Sequence, residues 1–328
     1  MVPATIISGF LGAGKTTLIN HLLHNPGDDR LAVLVNDFGA VNIDQDLIKV
    51  ETQNRIELSN GCVCCSIQDD LAAGLVSLSR LPNKFTRVAL ECSGVSHPAG
   101  ILKIFDSDPV RELFYVDGLF CLIDTSNLLD LDFRSAELAI DQAAMSDLVF
   151  LNKTDLVSEA VRVEVRQTLQ AAQRSMKLLE VLRAEIPTAI LFGPPEEPKR
   201  SRQRAAPEDN HSDLYESASF FWQSPVNAAA FKRFCDELPS QILRGKGVLS
   251  LMVNGEHPLR ALFQLVGKRS SVEVETADGP EISRIVLIAR RGELDRRAIA
   301  AALKLCPGAR SFVPIARPRG PKGPMICQ

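Results

Sequence analysis

The segment GFLGAGKTTLINHLL, residues 9–23, constrains the fold of this chain more than any other stretch of its sequence. Gly9, Gly14, Lys15 and Thr16 satisfy the pattern G-x-x-x-x-G-K-[ST]. Where this pattern joins a buried strand to a helix, it forms a phosphate-binding loop. Here the apolar run ATII precedes it, and KTTLINHLLH follows with leucines at helical spacing. The alternative is a glycine-rich turn before an ordinary helix, and the flanking strand and helix disfavour it.

The residues of this loop have separate roles in holding a nucleoside triphosphate. Backbone N–H groups of the turn and the positive end of the helix dipole attract the phosphates. Lys15 is expected to reach the β- and γ-phosphates, and the Thr16 hydroxyl is expected to bind Mg²⁺. We therefore predict catalytic roles for these two residues. The predicted nucleotide-binding residues of the loop are Gly9, Gly12, Ala13, Gly14, Lys15, Thr16 and Thr17.

The tetrapeptide NKTD at residues 152–155 predicts which base is bound, because it directly follows the apolar strand LVFL. The Asp155 carboxylate would accept hydrogen bonds from guanine N1–H and the N2 amino group, and adenine does not offer this pair of donors. Lys153 is expected to lie along the base plane, and Asn152 is expected to tie the motif to the phosphate loop. An isolated NKxD is also compatible with a helix cap. Its position after a phosphate loop favours a guanine reader.

Two polar segments between these motifs are candidates for reading the γ-phosphate. In RVALECSGVSHP, Glu91 ends an apolar strand and Gly94 follows it. The carboxylate is placed to hold the Mg²⁺ shell or to orient water, and the glycine N–H is placed to bond the γ-phosphate. VNDFGAVNIDQDL supplies Asp37, Gly39 and Asp44 after the strand LAVLV. We predict catalytic roles for Glu91 and for Asp37 as a Mg²⁺ or water contact; the alternatives are a solvent-facing acid and a helix cap.

Cys62, Cys64 and Cys65 stand within four consecutive positions in SNGCVCCSIQ. Three thiolates form a soft site suited to Zn²⁺, Cu(I) or Co²⁺, and residues 62 and 64 project to the same side of an extended segment. A fourth ligand has to come from elsewhere, and the candidates are Asp37, His97 and a thiol of a partner. An open fourth position suits a site that passes its metal on. The alternatives are a redox-reactive thiol pair and buried small side chains.

In their order along the chain, these motifs resemble those of the CobW-like metal-chaperone GTPases, relatives of the nickel-handling HypB and UreG proteins. The resemblance rests on GFLGAGKTTLINHLL, VNDFGAVNID, NGCVCC, ECSGVSHP and NKTD, and it spans residues 1 to about 190. More loosely, ILRGKGVLSLMVNG and RALFQLVG look like the smaller C-terminal domain of the family. The resemblance implies GTP and GDP as ligands, Mg²⁺ as cofactor, Zn²⁺ or Co²⁺ as the carried metal, and a metal-requiring client protein as partner. Many relatives carry a histidine-rich run between the domains, whereas residues 193–213 contain only His211, so a metal relay in this linker is not expected.

Apolar runs alternate with amphipathic segments through the first part of the chain. We predict strands near residues 4–8, 31–35, 86–91, 117–123, 147–151 and 188–192, with helices such as 158–174 between them. This alternation indicates an α/β fold of the P-loop NTPase class, with a mostly parallel sheet, helices on both faces and the nucleotide at the carboxyl ends of the strands.

A Pro- and charge-rich linker separates this domain from a second module. The strands ASFFWQ, VLSLMVN, SSVEVET and SRIVLIA, with helices at 227–238 and 295–305, indicate a smaller α+β domain. The predicted divisions are 1–192 for the GTPase domain, 193–215 for the linker, 216–316 for the C-terminal domain and 317–328 for a flexible tail.

Composition argues against several classes of partner. With 45% hydrophobic residues, 23% charged residues and a net charge of −3, the chain has no general reason to bind nucleic acid or a membrane. No apolar stretch reaches the roughly 18 residues that a membrane helix needs, and no signal-peptide pattern opens the sequence, so we expect a cytoplasmic protein. There thiols stay reduced, and the expected role of the remaining cysteines is core packing. These are Cys92, Cys121, Cys235, Cys306 and Cys327.

The sequence therefore supports two functions of different classes. The first is a GTP-hydrolysing metallochaperone that holds zinc or a similar soft metal at the three clustered cysteines and delivers it in a nucleotide-dependent way, as a monomer or a metal-dependent homodimer. The second is a nucleotide-gated regulatory or assembly factor whose cysteines sense redox state. A small-molecule kinase on the same core is opposed by NKTD and by the lack of an obvious substrate lid.

Overall fold

The chain divides into two compact units, Met1–Phe192 and Gly193–Gln328. The computed structural model describes residues 1–26, 30–35, 49–50, 56–57, 67–80, 85–193, 215–223, 225–253, 257–306 and 313–315. Most of the predicted linker and the whole of the predicted tail lie outside these ranges. No helix within them is long and apolar enough to cross a membrane.

The first unit is built on a parallel sheet. Its strands are β1 (Val2–Gly9), β2 (Leu31–Val35), β3 (Lys49–Val50), β4 (Ile56–Glu57), β5 (Arg87–Glu91), β6 (Phe114–Asp124), β7 (Leu148–Asn152) and β8 (Leu178–Glu180). Its helices are α1 (Lys15–His24), α2 (Ile67–Ser79), α3 (Pro98–Phe105), α4 (Val110–Leu113), α5 (Phe133–Met145), α6 (Glu159–Ala172) and α7 (Thr188–Phe192). Within the described residues, six strands pair in the order β2-β5-β1-β6-β7-β8, and β3 and β4 form a separate antiparallel pair.

The sheet is covered by helices because its strands are apolar on both faces. One face packs against α2, α3, α5 and α6. Phe120 and Phe150 belong to the other face, with ring centroids 5.7 Å apart, and α1 and α7 contact the sheet through β1, β5 and β6. The predicted P-loop α/β class is confirmed by this arrangement. Because all six strands run in one direction, their carboxyl ends meet at one edge, where a ligand site is expected.

One predicted strand is wrong. The apolar run at 188–192 is the helix α7, which starts after Pro187, and the sixth strand of the sheet is instead the short β8. An apolar run of five residues fits a buried strand and a buried helix equally well, so its period does not distinguish them. The end of this helix packs on a buried ion pair. Arg87 of β5 donates to Asp117 of β6 at 2.6 Å, and its guanidinium lies 4.5 Å from the ring centroid of Phe192.

The described residues of the second unit form a mainly antiparallel sheet with two helices. The unit contains β9 (Tyr215–Trp222), β10 (Val226–Asn227), α8 (Ala228–Asp236), β11 (Ile242–Met252), β12 (Leu259–Val266), β13 (Arg269–Asp278), β14 (Ser283–Arg290), α9 (Arg296–Lys304) and β15 (Val313–Ile315). The strand order is β13-β12-β11-β14-β9-β15, and β10 pairs in parallel with β11. Both helices pack on one face of this sheet around Phe231, Phe263 and Leu303. The predicted α+β module is confirmed, although β10, β12 and β15 are additional to the predicted strands.

Candidate nucleotide-binding site

The phosphate loop joins β1 to α1, with Gly9 as the last residue of the strand and Lys15 as the first of the helix. Gly14 is the N-cap of α1 with a φ of 105°, and a Cβ here would lie 2.4 Å from Nδ2 of Asn152. Glycine is therefore required on both counts. This cap has no side chain, and the first turn of α1 has no acidic residue. The N–H groups and the positive dipole at the start of this helix are thus arranged to attract an anion.

The Lys15 side chain turns back into the loop. Its side chain is buried, and its Nζ donates to the carbonyl oxygen of Phe10 at 3.1 Å. The N–H of Ala13 donates to the same carbonyl at 3.2 Å. Ala13 is also buried, whereas Gly12 and Thr17 are exposed. Phosphate oxygens in this loop would be better acceptors for the ammonium than the Phe10 carbonyl, because they carry negative charge and add a charge–charge attraction to the hydrogen bond.

Thr16 and Glu91 are in direct contact. The Thr16 hydroxyl donates to Oε1 of Glu91 at 2.8 Å. Glu91 is buried at the end of β5, beside β1, where it is paired in register with Ile7. A hydroxyl next to a carboxylate is a hard oxygen donor set of the kind that Mg²⁺ binds. The residues present therefore fit the magnesium ion that was predicted from the sequence.

The segment after Glu91 forms a short loop beside the phosphate loop. Its start is held by the N–H of Cys92, which donates to the carbonyl of Ile7 at 2.8 Å. His97 ends the loop as the exposed N-cap of α3, and its Nδ1 accepts from the N–H of Ala99 at 3.3 Å. Gly94 lies inside the loop. The role of Gly94 at a γ-phosphate and the role of His97 as a metal ligand stay predictions.

Asn152 joins three segments. This residue ends β7 and is buried. Its Nδ2 donates to the carbonyl of Ala13 at 2.9 Å, and its Oδ1 accepts from the N–H of Ala184 at 2.8 Å. Ala184, in the loop after β8, has a φ of 55°. The phosphate loop, the NKTD motif and the loop after β8 are thereby fixed to one another.

The rest of the NKTD motif lies at the same sheet edge. Lys153 adopts a left-handed conformation with a φ of 60°, and its Nζ contacts Oδ2 of Asp124 at 2.6 Å. Asp124 ends β6, and its Oδ1 accepts from the backbone and the hydroxyl of Ser126. Asp155 is exposed, so its carboxylate is accessible to a base.

Three residues of this region were not predicted from the sequence: Asp124, Ala184 and Gln142. The sequence signal for Asp124 is partial: the residue directly follows the apolar run LFCLI, which indicates the end of a strand, but this does not identify its contact with Lys153. Gln142 shares the buried stripe of α5 with Ala139 and Ala143, but this pattern does not identify the loop carbonyls that its amide contacts. Ala184 had no signal, because a left-handed alanine has no sequence signature.

Two predicted parts of the site lie outside the described residues. They are the acidic loop with Asp37, Gly39 and Asp44, and the cluster Cys62, Cys64 and Cys65. In the part of the chain that the structure describes, no group of three or more His, Cys, Asp or Glu side chains is arranged to hold a metal ion.

The four described cysteines are buried, as predicted for core packing. Burial raises the pKa of Cys92 to about 12, although the nearby Lys15 lowers it. Burial likewise raises the pKa of Cys235 to about 12, and it raises the pKa of Cys121 and Cys306. A thiol needs to lose its proton to act as a nucleophile or a metal ligand. These four side chains are therefore unsuited to either role at neutral pH.

Two family models match the chain. The model described as "CobW/HypB/UreG, nucleotide-binding domain" matches residues 3–180. The model described as "Cobalamin synthesis protein cobW C-terminal domain" matches residues 215–307.

Individual proteins also match over most of the chain. A protein of Pseudomonas aeruginosa named "Zinc chaperone CobW" is 33% identical, over 92% of this chain and 91% of the relative. A protein of Escherichia coli named "Zinc chaperone YjiA" is 28% identical, over 92% of this chain and 97% of the relative. The crystal structure of Zn(II)-bound YjiA GTPase from E. coli aligns with a TM-score of 0.47 at 26% identity, over 93% of this chain and 98% of that one.

Proposed function

Because the chain belongs to the CobW/HypB/UreG family and carries its C-terminal domain, we propose that it is a GTP-hydrolysing metallochaperone. It binds Zn²⁺ at Cys62, Cys64 and Cys65 and delivers the metal to a client in a nucleotide-dependent way. Relatives that are named zinc chaperones match over nine-tenths of the chain, which supports this assignment. No helix of the described residues could cross a membrane, and we propose a cytoplasmic location.

The position of Asn152 is the main support for the proposed nucleotide site. Its side chain bonds to Ala13 in the phosphate loop, while its own backbone leads directly into Lys153, Thr154 and Asp155. A loop suited to phosphates and a motif suited to guanine are thus held at one edge of one sheet. This supports a single site that binds both ends of GTP.

The proposed hydrolysis uses four side chains of this site. Lys15 exchanges the Phe10 carbonyl for the β- and γ-phosphate oxygens, and Gly94 donates its N–H to the γ-phosphate. Thr16 and Glu91 hold the magnesium ion, which when bound offsets the negative charge of the phosphates. Asp37 contacts the same ion or the attacking water. No arginine finger was evident in the sequence, so we expect slow turnover, on the order of 10⁻⁴ to 10⁻² s⁻¹.

The proposed zinc site uses the clustered cysteines. The four described cysteines are buried with raised pKa values, so they do not compete for the metal. Asp37, His97 or a thiol of a partner supplies the fourth ligand. Co²⁺ is a second candidate metal because it accepts the same soft ligands. The C-terminal domain is proposed to contact the client, and a metal bridging two copies would form a homodimer.

The nucleotide proposal is tested by comparing hydrolysis of GTP, ATP and XTP. The wild-type protein should turn over GTP in preference to ATP, and Lys15→Ala should abolish turnover. Asp155→Asn should shift the preference from GTP towards XTP, because xanthine presents a carbonyl where guanine has its amino group. Asp236→Asn, at an exposed acid of α8, is the matched control and should behave as wild type. Equal turnover of ATP and GTP by the wild type would contradict the base assignment.

The zinc proposal is tested by metal analysis of protein purified under reducing conditions. The wild type should hold one Zn²⁺ per chain. The variant in which Cys62, Cys64 and Cys65 are all replaced by serine should lose the metal and still bind GTP, while Cys327→Ser should keep both. Stoichiometric zinc in the triple variant would contradict the proposed ligands and favour the redox alternative.

A further inference from the structure

Gln142 is a fully buried amide in the last turn of α5. Its Nε2 donates to two carbonyl oxygens of the loop that follows β5, that of Gly94 at 3.2 Å and that of Ser96 at 2.9 Å. Neither α5 nor Gln142 was part of the predicted site. The contact nevertheless joins this helix to the loop that is proposed to read the γ-phosphate.

The orientation of this amide follows from its partners. Both carbonyls are acceptors, so only the NH₂ group can face them. Oε1 then points the other way, where it is buried and has no hydrogen-bond partner among the described residues. An unsatisfied buried oxygen is destabilising. The two bonds that Gln142 donates are therefore its stabilising contribution, and burial of its unpartnered oxygen is a cost in stability.

The loop is also confined by the phosphate loop. A Cβ on Gly94 would lie 2.8 Å from the backbone nitrogen of Leu11 and 2.6 Å from its Cδ2. The backbone of Gly94 thus lies directly against the phosphate loop. The loop contains a turn in which the backbone N–H of Ser96 donates to the carbonyl of Ser93 at 3.1 Å, and this bond keeps the loop compact. Leu11 and Gln142 therefore both restrict the position of Gly94.

We propose that Gln142 is a positioning residue that fixes the Gly94 loop in the place from which it reads the γ-phosphate. The inference rests on the proposed function, because Gln142 can act in this way only if Gly94 contacts the γ-phosphate of GTP. Gln142 does not touch the nucleotide. Its hydrogen bonds fix the peptide groups that follow Gly94 and Ser96. The Gly94 N–H therefore cannot move far from the phosphates.

This role predicts an effect that depends on the third phosphate. GDP lacks the γ-phosphate, so its binding uses the phosphate loop and the NKTD motif but not Gly94. Loss of the two donors should therefore weaken binding of a GTP analogue and leave GDP binding nearly unchanged. A residue that only stabilised the fold would change both affinities together.

The test measures the dissociation constants of GTPγS and GDP by calorimetry for the full chain. Gln142→Met keeps the length of the side chain and removes both donors. We expect GTPγS to bind about three- to tenfold more weakly, the range for one or two neutral hydrogen bonds, and GDP to bind within twofold of wild type. The turnover number for GTP should fall by a similar factor. Ser146→Ala is the matched control: it removes the 2.8 Å bond from the C-cap hydroxyl of α5 to the carbonyl of Gln142, and both affinities should stay within twofold.

The inference would be overturned if Gln142→Met left the ratio of the two dissociation constants unchanged, whether both affinities stay the same or both fall equally. If Gln142→Met does not fold, Gln142→Asn replaces it, because its shorter side chain cannot reach both carbonyls, and the same ratio decides. Failure of the proposed function would look different: the wild-type protein would then bind guanine nucleotides no better than adenine nucleotides.

Discussion

Replacing Asn152 by alanine removes the side chain that connects the phosphate loop, the NKTD motif and the loop after β8. Two hydrogen bonds are lost, the 2.9 Å bond to the Ala13 carbonyl and the 2.8 Å bond from the Ala184 N–H. Ala13 is 1% exposed and Ala184 is 0% exposed. The two backbone groups would therefore remain buried without their partners.

The expected loss follows from these two groups. Leaving one buried backbone group unsatisfied costs about 1–3 kcal/mol, so the two together give about 2–6 kcal/mol. We expect the lower part of this range, about 2–4 kcal/mol in the free energy of unfolding, because water entering the vacated space can bond to the exposed groups. GTP and GDP affinity should both fall, since the phosphate loop and the base motif lose the same connection.

Urea denaturation followed by circular dichroism measures the first effect, and calorimetric titration with each nucleotide measures the second. Asn227→Ala is the matched control, because Asn227 caps α8 in the C-terminal unit with one 3.1 Å bond to the Ala230 N–H. It should lose about 1 kcal/mol and keep its nucleotide affinity. A loss below about 0.5 kcal/mol in Asn152→Ala with unchanged nucleotide binding would refute the reasoning, since lost caps alone cost this much.

Two further predictions concern stability. Asp117→Ala removes the 2.6 Å ion-pair partner of the buried Arg87 guanidinium, and the free energy of unfolding should fall by about 3–5 kcal/mol. Replacing both residues with apolar ones should restore much of this stability. A double variant as unstable as the single one would contradict the prediction. The folded-state pKa of Cys92 and Cys235 is raised to about 12, so their contribution to stability is present below the thiol's ordinary pKa of 9 and is lost as pH rises from 9 towards 12. The urea midpoint should therefore stay level from pH 8 to pH 9 and fall as pH rises above 9. These two thiols should not react with a thiol reagent at pH 8 in the folded protein, and rapid labelling of either would contradict their burial.

The architecture of the first unit was largely predictable because its signals are local. A strand, a glycine-rich turn and a helix with a leucine stripe occur in sequence at residues 2–24. The error at 188–192 arose because the local pattern is too short to decide: the five-residue run forms a helix that buries its last three residues, and β8 has only three residues to show a strand pattern. In the second unit β12 was missed, although its LRALFQLV alternates buried and half-buried residues.

The site residues were predictable only where they belong to a motif whose residue types and spacing indicate a chemical role. Lys15, Thr16 and Asn152 are specified by residue type and spacing. Asp124 and Gln142 are not, because their partners lie 29 and 48 positions away in the chain. Contacts of this kind depend on which strands and helices become neighbours, and the sequence pattern does not state this.

In a nucleotide-gated metallochaperone, nucleotide and metal change each other's affinity, and the affinity for zinc in three nucleotide states tests this most directly. Competition with a chromophoric chelator gives the zinc dissociation constant of the full chain when empty, with GDP and with GTPγS. Couplings between two sites are typically about 1–3 kcal/mol, so we expect at least one nucleotide to change zinc affinity by several-fold to a hundredfold. By linkage, zinc must change the affinity for that nucleotide by the same factor. Equal zinc affinity in all three states would contradict a nucleotide-gated metallochaperone.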